Sequence, residues 1–134
     1  MSEDGLEYSQ FKFEAPQLRG LVGSPWCMSY GASADALPGI VAPDAHVEFV
    51  FQTGAPCATR PAAGRPGAPS PAAMVYAQRH GALTLIPTGA NAIVAFRTTP
   101  AVASVILGRP LADSWDRPID LSERWSRMAP RVLP

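Results

Sequence analysis

His46 and Glu48 are the residues best suited to chemistry in this chain, because an imidazole and a carboxylate stand two positions apart. Gln52 follows four positions after Glu48 in the same apolar segment. Alternate side chains of a strand point to one face, and positions i and i+2 lie about 7 Å apart. We therefore expect His46, Glu48 and Gln52 either to line one wall of a small cavity or to form the solvent-exposed face of a half-buried strand.

Four further side chains are candidates for completing this cavity. We expect Arg97 to contribute from a neighbouring strand, and Trp26, Tyr30 and Tyr76 to provide aromatic walls. Ordinary core packing also explains each aromatic residue, and a surface position with a buried aliphatic stem also explains Arg97. The cavity and the plain core are both compatible with the sequence at this point.

A metal centre would need both histidines of the chain, His46 and His80, together with Glu48. His80 stands beside Gly81 in a predicted turn, where a side chain is usually exposed. The sequence also lacks a serine-nucleophile motif, a P-loop and a dinucleotide fingerprint. We therefore predict no metal, no other cofactor and no catalytic residue.

The two cysteines, Cys27 and Cys57, have no zinc-site spacing, and we expect reduced thiols, with a disulfide as the alternative. Lysine plus arginine and aspartate plus glutamate number 11 each, so the net charge is zero. A neutral chain does not have the basic surface that nucleic-acid binding requires. Without a hydrophobic leader or a stretch of about 20 apolar residues, we expect a cytoplasmic protein.

The 134 residues predict one domain, in which a central strand carries the candidate site. In this strand Val47, Phe49 and Phe51 share one face, and Val50 joins the polar residues on the other. Alternation predicts further strands over 8–14, 18–30, 74–78, 82–86 and 91–97. The proline-rich segment 55–73 has little to bury, and we expect an exposed, mobile connection there.

The hydrophobic period changes after residue 98. Thr99 and Pro100 predict the start of a helix that Gly108 ends, and Asp120 with Glu123 predicts the start of a second. The apolar stripe of the second helix serves either a homodimer contact or the domain's own core. That stripe consists of Leu121, Trp125 and Met128. The predicted fold is mainly β, with a β domain over about 8–98, which the resemblances described below imply to be a barrel, and a helical tail over about 99–129.

Two half-motifs resemble those of the cupin barrels. One is Gly81, five residues, Pro87, one residue and Gly89; the other is Gly39, six residues, His46 and Glu48, followed later by Gly54. Ala92 and Glu48 occupy positions where metal-binding cupins have histidines. The resemblance implies a cupin-type barrel that has lost most of its metal ligands.

A second resemblance covers nearly the whole chain. Its central part is Ala42-Pro43-Asp44, then Val47-Glu48-Phe49-Val50-Phe51 and Gly54, and its flanking parts are 18–26, 89–100, 107–113 and 119–121. These segments resemble the N-terminal sensor domain of AraC-type bacterial transcription regulators, in the subgroup with a Pro-Asp-Gly-x-Val-Glu-Leu core strand. Ala45 replaces the glycine of that motif, and the two helix-turn-helix units of the family are absent from this chain.

The resemblance implies a cupin-like antiparallel β-barrel, or double-stranded β-helix, that binds an effector and acts on DNA only through a separate C-terminal domain. We therefore expect a ligand-sensing and dimerisation domain without catalysis. One alternative is a small cupin-type enzyme, an isomerase or a metal-dependent oxygenase, that uses His46 and Glu48. Another is a dimerisation module with a filled barrel.

Overall fold

The computed structural model describes residues 6–10, 16–23, 25–31, 39–41, 45–61, 69–77, 81–114 and 118–123. In these ranges the strands are β1 Leu6–Gln10, β2 Trp26–Tyr30, β3 Gly39–Val41, β4 Val47–Gly54, β5 Ala58–Pro61, β6 Ala73–Tyr76, β7 Leu83–Ile86, β8 Asn91–Thr98 and β9 Pro118–Asp120. A 3-10 turn spans Pro16–Leu18, and helix α1 spans Pro100–Leu107.

All strand pairs are antiparallel, and the strands form two sheets. The larger sheet has the order β1-β2-β8-β4-β6-β9, and the smaller has the order β3-β7-β5. Within the described residues the two sheets do not join into a closed barrel. The prediction of a mainly β, antiparallel fold is confirmed at this level.

Strand β4 lies at the centre of the larger sheet and is buried on both faces. It pairs with β8 along its whole length and with β6 from Glu48 to Phe51. Val47 and Phe49 are 0% and 3% exposed on one face, and Glu48 and Val50 are 7% exposed on the other. A strand buried on both faces separates two apolar cores, one on each side of the sheet.

The first core lies between the two sheets. Val50 and Ile93 of the larger sheet pack there with Leu83 and Leu85 of β7. Cys57, which precedes β5, is buried in the same core. The smaller sheet therefore covers the face of β4 that carries Glu48.

Helix α1 covers the opposite face. Its start and end follow the sequence prediction: Thr99 accepts a hydrogen bond from the amide of Val102, and Gly108 adopts a left-handed conformation with φ of 67°. Ala103 and Leu107 of the helix pack in the second core with Val47, Phe49 and Val75. The ring of Phe49 stacks on that of Phe96, its cross-strand neighbour, at 4.8 Å between centroids.

Two predictions about the connections were wrong. Residues 57–61 and 69–72 are not simply an exposed connection, because Cys57 and Ser70 are buried and β5 pairs with β7. The chain after Thr98 is not wholly helical, because β9 pairs with β6 and the amide of Leu121 extends this ladder to the carbonyl of Ala73. In both places the edge of another strand provides backbone partners that a local pattern does not reveal.

The start of the predicted second helix is described only as far as residue 123. The carboxylate of Asp120 accepts a hydrogen bond from the amide of Ser122, as an N-cap does, and Leu121 packs against the second core. Trp125 and Met128 lie outside the described residues. Among the described residues, no helix has the length and apolar character needed to cross a bilayer.

Candidate functional site

A cavity of about 30 Å³ lies between the two sheets, on the face of β4 that carries Glu48. Its apolar lining comes from Val50, Cys57, Met74, Leu83, Leu85 and Ile93. Its other lining residues carry polar atoms and are Trp26, Glu48, Gln52, Ser70 and Tyr76. A cavity needs a volume of roughly 10–15 Å³ to hold one water molecule. This cavity therefore has room for two or three small atoms in this conformation.

Trp26 and Glu48 form a short polar contact at one end of this site. The indole Nε1 of Trp26 donates to Oε1 of Glu48 at 2.7 Å. The two residues lie on β2 and β4, which are separated by β8, so the two side chains and the hydrogen bond between them together span two interstrand spacings, or about 10 Å. Ala95 of β8 pairs directly with Trp26 and is fully buried. The small side chain at this position leaves room for the indole to lie across β8.

Arg97 approaches the same carboxylate from the neighbouring strand. It is the direct cross-strand partner of Glu48, and its Nε lies 3.6 Å from Oε1. The side chain of Arg97 is 46% exposed, whereas that of Glu48 is 10% exposed. A half-exposed guanidinium is screened by water and compensates a buried carboxylate only in part.

At the other end of the cavity, the side-chain amide of Gln52 forms hydrogen bonds with three backbone groups and with the side chain of Asn91. Its Nε2 donates to the carbonyls of Ser70 and Pro71, and its Oε1 accepts from the amide of Cys57 and from Nδ2 of Asn91. An amide side chain offers two donor hydrogens and two acceptor lone pairs. Gln52 therefore fixes the start of β5 beside β6, and it can contact a ligand only without donating or accepting a further hydrogen bond.

Burial acts on the two weak acids of the first core. The pKa of Tyr30 is raised by loss of hydration and, second, by the proximity of Cys57. Burial also raises the pKa of the Cys57 thiol. Both groups are therefore neutral in the folded protein at ordinary pH.

The structure brings together most of the side chains that the sequence placed at a cavity. Glu48, Gln52, Trp26 and Tyr76 line it. Arg97 is not a lining residue, but it pairs with Glu48, which is one. That these residues bind a ligand stays a prediction.

Two predicted residues lie elsewhere. His46 is exposed and is not a lining residue, because β4 begins at Val47 and the alternation of its side chains does not extend to residue 46. Tyr30 is 4% exposed in the first core, but it is not a lining residue either. The expected grouping of His46 with Glu48 is therefore not formed.

Sequence reasoning missed the lining residues Cys57 and Ser70, because it treated their segment as exposed. Burial of a cysteine is common, and that preference was the available signal. Within the described part of the chain, no three His, Cys, Asp or Glu side chains gather as a metal site would require, and Cys27 and Cys57 are separate thiols rather than a disulfide. His80 lies outside the described residues.

No family model, curated protein or solved structure matches the chain.

Proposed function

We propose that this chain is the ligand-sensing domain of an AraC-type transcription regulator and that its two sheets are the walls of a cupin-like barrel. It binds a small molecule between the sheets and passes the signal to a DNA-binding domain outside this chain. The observation that carries the proposal is the position of Glu48. A carboxylate that is 7% exposed faces a cavity with mostly aliphatic neighbours.

The burial of Glu48 lowers the stability of the fold, and a role in ligand binding would explain why a carboxylate is present there. Removing a carboxylate from water costs several kcal/mol, and pairing recovers only part of that cost. Buried charged groups that face a cavity are therefore candidates for ligand recognition. The resemblance of segment 42–54 to the core strand of the sensor domains supports the same function.

Binding is better supported than catalysis. The enzyme alternative depends on proton transfer between His46 and Glu48, and His46 is exposed outside the cavity wall. Two other polar lining residues bond to backbone groups: the amide of Gln52 donates to the carbonyls of Ser70 and Pro71, and the hydroxyl of Ser70 donates to the carbonyl of Cys57. These bonds support the wall itself rather than a reaction.

The geometry also provides a route from the cavity to the helix. Arg97 pairs with Glu48, and two residues later Thr99 caps α1. A ligand that binds Glu48 changes the pairing of Glu48 with Arg97 near the end of β8, and α1 follows that end directly. Such a ligand shifts the domain only if it binds the two states with different affinity.

The proposal is tested with small fragments and a variant in which the cavity is filled. We expect fragments that bind the cavity to raise the thermal midpoint of the chain in a saturable manner. Val50→Ile adds one methyl group at the cavity wall and should weaken this binding. Val94→Ile makes the same change on the neighbouring strand, where the side chain is 49% exposed, and should leave the binding unchanged.

Two results would contradict the sensor proposal. One is the absence of any fragment that stabilises the unsubstituted chain. The other is binding that Val50→Ile does not weaken, since that ligand occupies another place. A reading frame that continues from this domain into two helix-turn-helix units would support the regulatory half of the proposal.

A dimerisation module with a filled core is the second candidate, and two observations favour it. The cavity is well below the roughly 300 Å³ at which ordinary ligand pockets begin. In addition, Val105 and Ile106 of α1 are 80% and 46% exposed, and exposed apolar groups are typical of contacts between protomers. Under this alternative the chain sediments as a dimer and no fragment changes its thermal midpoint.

A further inference from the structure

The surroundings of Glu48 define the chemistry of the ligand more closely. The carboxylate has an aromatic residue on each side: Trp26 donates to it, and Tyr76 is its direct cross-strand partner on β6. Both aromatic residues line the cavity. A carboxylate beside aromatic side chains is suited to an ammonium group, because the carboxylate and any ring face that the ammonium reaches attract positive charge.

The contacts of Glu48 leave capacity for such a group. The indole of Trp26 and the guanidinium of Arg97 both approach Oε1. Among the described residues, the polar contacts of Glu48 thus converge on one of its two oxygens. A carboxylate accepts about four hydrogen bonds when its acceptor sites are filled. A donor inside the cavity would therefore find acceptor sites on this carboxylate that these two contacts do not use.

Charge within the lining favours a cation over an anion. Glu48 is the acidic residue of the described lining, which includes no Lys or Arg. Burial keeps the Cys57 thiol neutral by raising its pKa. Arg97, which is half-exposed, compensates the carboxylate only in part, so a cation that enters the cavity is attracted more than an anion is.

Size and lining determine the rest of the ligand. About 30 Å³ accommodates two or three atoms besides hydrogen, and the wall beyond Glu48 is formed by Val50, Met74 and Leu85. Met74 can make more room, since a thioether side chain adapts its rotamer at low cost. The ligand is therefore a short chain with one charged end.

We propose that the cavity binds a small primary alkylammonium ion, which donates to Glu48 between Trp26 and Tyr76 and places its alkyl group against Val50 and Met74. This inference rests on the proposed ligand-sensing function. It goes further than that function by naming the chemical class of the ligand and the side chains that select it.

The test is a titration of the chain with methyl-, ethyl- and propylammonium chloride, followed by NMR of the indole N–H of Trp26. That proton bonds to Glu48 and reports on the site directly. Sodium chloride at the same concentration controls for ionic strength. We expect a saturable shift of the Trp26 signal with the amines and no comparable shift with the alcohols of the same length.

Matched variants separate the site from general charge effects. Glu48→Gln keeps the shape and an acceptor for Trp26 and should weaken amine binding by about tenfold or more, since a charged hydrogen bond is lost. Glu7→Gln makes the same change on β1, where Glu7 is exposed, and should have no effect. If Glu48→Gln does not fold, Val50→Ile provides the test, because it should weaken propylammonium more than methylammonium.

Each outcome bears on a different claim. Alcohols or acetate that shift Trp26 as strongly as the amines would overturn the amine proposal and leave a sensor of another ligand class. Amine binding that Val50→Ile leaves unchanged for every chain length would place the amine outside the cavity and overturn the proposal. A Trp26 signal that responds to no probe of any class would overturn both the amine site and the sensing function.

Discussion

At the scale of single residues, the candidate site depends on a small side chain that carries no polar group. Ala95 is fully buried and lies on the strand between Trp26 and Glu48. A larger side chain at this position would occupy the space that the indole crosses. The hydrogen bond from Trp26 to Glu48 therefore depends on Ala95 as much as on its two partners.

We expect Ala95→Val to displace the indole and to lower the free energy of unfolding by about 1–3 kcal/mol, as overpacking of a core does. The chemical shift of the Trp26 indole proton should move towards that of a solvent-exposed indole. Ala92→Val is the matched control, because Ala92 lies on the same strand and is exposed. A variant at 95 that unfolds at the same urea concentration as the control and keeps the indole shift would contradict this account.

Part of the site could be predicted from single residues. The alternation of β4 is enough to place Glu48 and Gln52 on one face, and that of β8 places Arg97 with Ile93. The role of Ala95 could not be predicted, because it depends on β8 lying between β2 and β4. The exposure of His46 depends on the residue at which pairing begins, and strand ends are weakly determined by sequence.

At the scale of elements, Gly54 determines how β4 ends. Its φ is 85°, and a Cβ at this position would collide with the carbonyl oxygen of Ala90. The amide of the next residue, Ala55, donates to the same carbonyl at 2.9 Å. The chain needs glycine here both for its left-handed conformation and for the close approach of the two backbones.

We expect Gly54→Ala to lower the free energy of unfolding by about 3 kcal/mol, from left-handed strain of roughly 1 kcal/mol and the displacement of Ala90. Gly20→Ala separates the two contributions. Gly20 has a φ of 77° and no atom within 4 Å of the position of a Cβ, so this control carries the strain alone. Urea unfolding measures both, and equal losses for the two variants would show that the contact with Ala90 is unimportant.

Elements differ in how far the sequence determines them. Helix α1 was predicted with its boundaries, because Thr99, Pro100 and Gly108 act on the backbone within one turn. Strands β5 and β9 were not predicted, because each is held by the edge of a strand distant in sequence. Such pairing depends on the arrangement of the sheet, and residues 55–61 and 118–120 carry no strong local pattern of their own.

At the scale of the whole molecule, β4 and β8 separate a cavity from a helix. Glu48 and Val50 face the cavity, while Phe49 and Phe96 face the core under α1. A closely packed interior transmits a change on one face of a sheet to the other. Under the proposed function, this arrangement would let the domain bind a ligand on one side of the sheet and change the position of the helix on the other.

The first core also determines how the stability of the molecule depends on pH. Tyr30 and Cys57 have raised pKa values because of burial, and both are neutral when protonated. The unfolded chain begins to ionise near the ordinary values of 9.0 for cysteine and 10.0 for tyrosine. Above these values the unfolded state binds fewer protons than the folded state, so the free energy of unfolding falls as the pH rises.

We therefore expect the stability contributed by these groups to be constant below about pH 8 and to decrease from about pH 9 upward. Urea unfolding at several pH values across this range measures the slope. Cys57→Ala should remove the earlier part of the decrease and Tyr30→Phe the later part, even if either variant is less stable at neutral pH. Loss of a side chain shifts the whole curve of unfolding free energy against pH, whereas loss of a titrating group changes the slope of that curve. An unchanged slope in the double variant would therefore place the alkaline sensitivity outside the first core.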